Sequence, residues 1–127
     1  MLRRVLALFV TLLFAIPATA QKAQDTVTKI DLAKRTEGLG YSTLWYPEAV
    51  NYETFALGGY LLSQSTKLGV GSGIANIYAR DAAAAAMGHN SLNSLYGGRF
   101  VLGLGVSHVP LVSNVRGQEY KKPMAAM

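Results

Sequence analysis

Tyr96-Gly97-Gly98-Arg99-Phe100-Val101-Leu102-Gly103-Leu104-Gly105 is the stretch whose reading decides the fold. A glycine pair stops whatever precedes it. The apolar run that follows lacks the polar–apolar alternation of a half-exposed strand, so it reads as a strand buried on both faces, the habit of a parallel sheet covered by helices. Upstream, Asp81 is a good N-cap for a helix that runs through the alanines Ala82–Ala86 to Leu95. Lys67–Ile74 is an earlier strand, glycine-rich at its end, and Thr54–Ser65 is a helix despite Gly58 and Gly59. Tyr41–Tyr46 is an aromatic and β-branched strand stopped by Pro47. Gln21–Glu37 carries helical spacing at Ala23, Val27 and Ile30 and is ended by Gly38 and Gly40. Downstream, Lys121–Met127 reads as the opening of another helix, with Pro123 near its first turn. The alternation of strand and helix predicts an α/β chain with parallel strands covered by helices.

Composition narrows the chemistry. The chain has 127 residues, 50% hydrophobic and 15% charged, which is one domain's worth of polypeptide able to bury a core. It contains no cysteine, which excludes a disulfide scaffold, a thiolate metal site and a cysteine nucleophile. With two histidines, His89 and His108, no metal site is expected. The +5 charge is scattered, so no nucleic-acid partner is expected either. Residues 1–20 have the layout of an export signal: Arg3 and Arg4, the apolar run Val5–Ile16, Pro17, then Ala18-Thr19-Ala20 before Gln21. The run is too short to span a bilayer comfortably, and its removal lowers the charge from +5 to +3 by taking away the two arginines. The other reading of the same run is a buried first β-strand. The expected division is therefore 1–20 as signal or first strand and 21–127 as the folded domain.

Ligands of parallel α/β folds bind beyond the carboxyl ends of the strands. Three such ends carry polar residues: Pro47–Asn51, Ser72-Gly73-Ile74-Ala75-Asn76, and Gly103–His108. Asn76 and Ser107 are polar residues at these ends. His108 could act as a proton donor; the plainer reading is a loop histidine bonded to backbone. His89 reads as surface or packing, and Trp45 and Phe100 as core. Gly103 and Gly105 lie within a strand rather than in a turn before a helix, so they are no dinucleotide fingerprint.

Tyr96–Gly105 resembles the GGRF-x-LGLG strand of the luciferase-like monooxygenase superfamily. Leu39–Trp45 followed by Glu48 is similar to that family's second strand, and Leu68–Asn76 followed by Arg80-Asp81 to its third. Tyr120-Lys-Lys-Pro-Met124 resembles a deazaflavin-dependent subgroup. The resemblance implies a partial (β/α)8 TIM-type barrel, about strands one or two to four of a fold that takes about 250 residues. It implies an oxidoreductase that carries out hydride transfer or monooxygenation on a small-molecule substrate, with coenzyme F-420 (a deazaflavin) or FMN at the strand ends. It also implies a non-prolyl cis peptide at Ser72-Gly73 behind the cofactor's ring, so Ser72, Gly73, Ile74, Asn76 and Ser107 are the expected cofactor-binding residues. Glu48 falls on the family's acid after strand two, and Glu48 and His108 are the expected catalytic residues. Where deazaflavin sugar-phosphate dehydrogenases follow that acid with a histidine, this chain has Ala49, which unsettles that proton-handling pair; Glu48 could instead cap a helix or pair with Arg80. The chain stops within an element, as a fragment would. Open sheet edges make a self-associating, non-catalytic half-barrel the alternative. The export signal and the family's cytoplasmic cofactors point to different compartments.

Overall fold

The computed structural model describes residues 8–9, 32–122 and 125. Strand β1 (Leu8–Phe9) is followed by a helix over residues 32–38 (α1), β2 (Thr43–Tyr46), α2 (Thr54–Ser63), β3 (Gly69–Ser72) and β4 (Ala75–Asn76). A 3-10 turn (Ile77–Ala79), α3 (Ala82–Leu95), β5 (Phe100–Val101), β6 (Leu104–Gly105) and a π-helical turn (Pro110–Val115) complete the order. The apolar run expected as a signal or first strand contributes Leu8–Phe9 to the sheet, in register with Leu44 and Trp45; the rest of 1–20 lies outside the described residues, as do residues 21–31 of the first expected helix. Of the closing helix, Lys121 and Lys122 have no regular structure and most of the remainder lies outside the described residues.

All pairings are parallel. One sheet has the order β1-β2-β3-β5, and a second pairs β4 with β6. Sequential parallel strands with helical crossovers form an arc of a (β/α) barrel; the alternation predicts the parallel strands and the resemblance implies the barrel. The two long strand readings do not run through: Lys67–Ile74 is shortened to β3, with β4 a separate short strand just beyond it, and Phe100–Val106 is divided into β5 and β6. The break is a bulge at Gly73-Ile74, where the chain leaves one ladder and enters the other.

Register separates the two faces of the arc. The row Leu44–Val70–Phe100 points to the helices and is buried. There it meets Leu61, Leu62 and Leu92, with Phe55 5.9 Å from Phe100 between ring centroids. Helix α2 lies close on the sheet because Gly58 has no side chain: a Cβ there would sit 2.6 Å from the Tyr46 hydroxyl and 2.7 Å from the Phe100 ring. The row Trp45–Gly71–Val101 faces the other way, and Val101 is 46% exposed.

Two charged side chains hold the N-terminal end of the arc through one loop. The Glu37 carboxylate accepts from the amides of Thr66, Lys67 and Leu68. The Lys67 amide is the chief cause that holds its carboxyl below the ordinary range; desolvation opposes this, and the amides of Leu68 and Thr66 add to it. The Arg99 guanidinium donates to the carbonyls of Leu62, Ser65 and Leu68 and to the Ser65 hydroxyl. Some of these are orphan carbonyls at the end of α2, where a cation is favoured. Gly97 and Gly98 turn into β5 with φ of +63° and +76°, a region that glycine enters without a Cβ clash.

Candidate active site

The site is built where β2, the bulge and β6 meet. The Gly73 amide donates to the Tyr46 carbonyl at 2.8 Å, and the Glu48 amide to the Ile74 carbonyl at 3.1 Å, so the end of β2 is stitched to both residues of the bulge. On the other side, Ser72 Oγ donates to the Gly103 carbonyl and accepts from the Gly103 amide, both at 3.0 Å, and the Ala75 amide reaches that carbonyl at 2.6 Å. A Cβ on Gly103 would lie 2.2 Å from the Ser72 carbonyl oxygen, so only glycine permits this approach.

The result is a shelf. Its surface is the Gly73-Ile74 step, with Ile74 36% exposed, flanked by Leu104 at 45% and backed by Gly105, whose missing Cβ leaves room for the Ile74 side chain. The Gly73-Ile74 peptide is cis. The resemblance places that bond at Ser72-Gly73; it lies one residue later. Beneath the step is the Trp45 indole, flat on Gly71, where a Cβ would be 2.6 Å from two ring carbons, and within 4 Å of the Cβ positions of Gly73 and Gly103.

The expected site residues separate into three kinds. Gly73 and Ile74 form the shelf. Ser72 and Asn76 are shut in, with exposures of 0% and 1%. Both polar roles of the Ser72 hydroxyl are spent on Gly103, and Asn76 Oδ1 caps the 3-10 turn through the Tyr78 amide at 2.9 Å. Asn76 Nδ2 is buried and has no partner among the described residues, but it has no surface through which a ring edge could reach it. Ring-edge bonding from Asn76 is therefore not what the geometry offers; these two side chains clasp and cap. Ser107 and His108 follow β6. Ser107 is in the left-handed region at φ +57° and its carbonyl accepts from the Tyr120 hydroxyl at 3.3 Å. His108 is exposed, and its carbonyl accepts from the Val112 amide at 3.1 Å.

Glu48 is enclosed, its side chain 3% exposed. One oxygen accepts from the Thr54 amide at 3.3 Å and from Arg80 Nη2; the other accepts from the Asn76 amide at 2.7 Å and from Arg80 Nη1 at 3.1 Å. Burial pushes its carboxyl up, but the Arg80 hydrogen bonds, the Asn76 amide and the guanidinium's charge outweigh this and hold it below the ordinary range. With four donors on its two oxygens and no free edge, the carboxylate is placed to pair with Arg80, the alternative to a catalytic role that the sequence left open. Arg80 also reaches Glu53 at 3.0 Å and lies over the Phe55 ring at 5.2 Å.

An open cleft of about 380 Å³ is lined by residues 77–81 and Gln118. The segment after β6 folds back along it: Gln118 Nε2 donates to the Tyr78 carbonyl at 3.2 Å and the Tyr78 and Tyr120 rings are 5.8 Å apart. Trp45 is the part of the site that reading it as core missed. Its signal was the period of two along β2, which sends Leu44 and Tyr46 to the helices and Trp45 to the opposite, glycine-lined face. Among the described residues no cluster of three or more His, Cys, Asp or Glu could hold a metal, and no helix is long and apolar enough to cross a membrane.

A family model described as luciferase-like monooxygenase matches residues 6–127. Over 103 residues the chain is 31% identical to a Mycobacterium tuberculosis protein named as a coenzyme F-420-dependent oxidoreductase, covering 81% of this chain and 30% of that one. Over 86 residues it is 36% identical to 5,10-methylenetetrahydromethanopterin reductase of Methanolobus tindarius, covering 64% and 26%. Among solved structures, the oxygenating constituent of 3,6-diketocamphane monooxygenase from Pseudomonas putida, in complex with FMN, superposes with a TM-score of 0.66 at 17% identity, covering 80% of this chain and 29% of that one. This chain thus spans less than a third of the length of these relatives.

Proposed function

The chain belongs to the luciferase-like monooxygenase family, and from that premise we propose that its shelf seats the flat ring of FMN or of coenzyme F-420 in an oxidoreductase acting on a small molecule. The observation that carries the reading is the shelf itself: an apolar, uncharged step at Gly73-Ile74, bare of covering side chains, floored by Trp45 and built where a parallel sheet presents its carboxyl ends. A planar, largely apolar ring system fits such a surface. The names of the relatives support both cofactors: coenzyme F-420 for one and FMN for another.

In this reading Gly73 and Ile74 support the ring, and Ser107 borders its edge from beyond β6. When bound, the reduced cofactor supplies the hydride or the electrons for oxygen. The chain's own contribution is to bind, to orient and to handle a proton. The exposed His108 imidazole holds or gives that proton at a ring nitrogen. Ser72, Asn76 and Glu48 keep the shelf in shape rather than touch the ligand. Leu8–Phe9 serves as the barrel's first strand; its pairing with Leu44 and Trp45 and the start of the family match at residue 6 support this reading of the apolar run.

The test uses Trp45, the only tryptophan in the chain. Titration with FMN and with coenzyme F-420 should quench its emission saturably with at least one of them. No quenching by either at high micromolar protein, with sedimentation showing self-association, would put the non-catalytic half-barrel in its place.

A further inference from the structure

We propose that Glu48 and Arg80 are a positioning pair, a carboxylate–guanidinium latch that sets the shape of the Gly73-Ile74 shelf and thereby its affinity for a planar ring. The proposal rests on the shelf being the ligand surface, and it assigns to Arg80 a role in the site beyond a salt bridge at the start of α3.

Glu48 grips the chain on both sides of Ala75. Its amide donates to the Ile74 carbonyl at 3.1 Å, while its side chain accepts from the Asn76 amide at 2.7 Å. The exit of the bulge is thus held at two successive peptide groups by one residue from a different strand end. The same carboxylate accepts from the Thr54 amide at 3.3 Å and so also holds the first turn of α2. Arg80 closes the arrangement from the far side. Its fork takes both Glu48 oxygens, its Nη2 reaches Glu53 at the N-cap of α2, and its side chain is 10% exposed. A planar fork is suited to a carboxylate in this way, and a lysine ammonium is not.

The four contacts make the pair specific to charge and shape. Each oxygen of Glu48 accepts from two donors. In Glu48→Gln the amide nitrogen must therefore face a pair of N–H groups whichever way it turns, and one side of the latch opens. Since the shelf is a short bulge between two ladders, the displaced Asn76 amide moves the Ile74 step above Trp45.

The experiment reads three quantities on the full chain: stability by urea denaturation, acrylamide quenching of Trp45 without ligand, and FMN affinity by fluorescence. Glu37→Gln is the comparison. Glu37 also accepts several backbone amides, but at the opposite end of the arc, so its loss should lower stability and leave Trp45 quenching and FMN affinity as in the wild type. Glu48→Gln should raise Trp45 quenching and weaken FMN by about tenfold, the order seen when groups that orient a site's ligands are removed. Arg80→Lys should do the same to a smaller degree, and it decides the matter if Glu48→Gln does not fold. Wild-type Trp45 quenching in the folded variants would overturn the proposal, as would equal effects from Glu37→Gln. If wild-type chain binds neither FMN nor coenzyme F-420, the cofactor reading fails while the Trp45 measurement still decides whether the latch shapes the shelf.

Discussion

Replacing Gly103 by alanine should dismantle the join between the bulge and β6. The new Cβ would stand 2.2 Å from the Ser72 carbonyl oxygen and 3.4 Å from its carbon. Relief requires the two backbones to part by about 1 Å, since carbon–oxygen contacts settle near the sum of the van der Waals radii. That movement stretches the two 3.0 Å bonds between Ser72 Oγ and Gly103 to about 4 Å, beyond hydrogen-bond range, and pulls the Ala75 amide from its carbonyl. Three bonds at about 1 kcal/mol each set the loss near 3 kcal/mol. Restricting the unfolded chain returns about 0.4–1 kcal/mol. A net destabilisation of about 2 kcal/mol follows, which at this chain length lowers Tm by roughly 8 °C. Urea denaturation followed by circular dichroism should show a lower midpoint at unchanged m-value. Gly105→Ala is the internal comparison. Its Cβ meets Ile74 side-chain carbons at 2.7 Å, and that side chain can rotate aside at about 1 kcal/mol or less. Equal midpoints for Gly103→Ala and Gly105→Ala would refute the reasoning, because the argument turns on backbone being less able to yield than a side chain.

Other perturbations test the frame. Gly58→Ala should cost about 1–3 kcal/mol by driving α2 off Tyr46 and Phe100, read as a lower urea midpoint. Arg99→Lys should cost about 2–3 kcal/mol in the same assay, because one ammonium cannot serve the carbonyls of Leu62, Ser65 and Leu68 together. The carboxyls of Glu37 and Glu48 are both held below their ordinary value of 4.5, so their contribution to stability is full above that pH and is lost as pH falls through their lowered folded values. The urea midpoint should therefore be flat from neutrality to about pH 5, fall below about pH 4.5, and fall less in Glu37→Gln.

Much of the architecture could be read from residue order. The helix from Asp81 to Leu95 is found within its expected limits because an N-cap carboxylate, a run of alanines and a glycine pair act locally. Parallel pairing followed from apolar strands without alternation. The break of two long strands at the bulge could not be read so, since it depends on the Ser72–Gly103 clasp between residues far apart in sequence. For the same reason the resemblance could place Glu48 after β2 but could not show that its carboxylate meets donors from Thr54, Asn76 and Arg80.

Composition and local spacing determined the α/β class and the direction of the strands, and the glycine-rich strand segments carried the resemblance to the family. They also located the strand ends where a ligand would sit, because these properties depend on neighbours within a few residues. Only the tertiary structure decided which of those polar residues face outward. Ser72, Asn76 and Glu48 are consumed by contacts across the arc, and Trp45, core by its chemistry, is turned to the open face by the pleat of β2 and the three glycines beside it. Whether a side chain is a tool or a strut is settled by which donors and acceptors surround it, and in this chain those arrive from other strands.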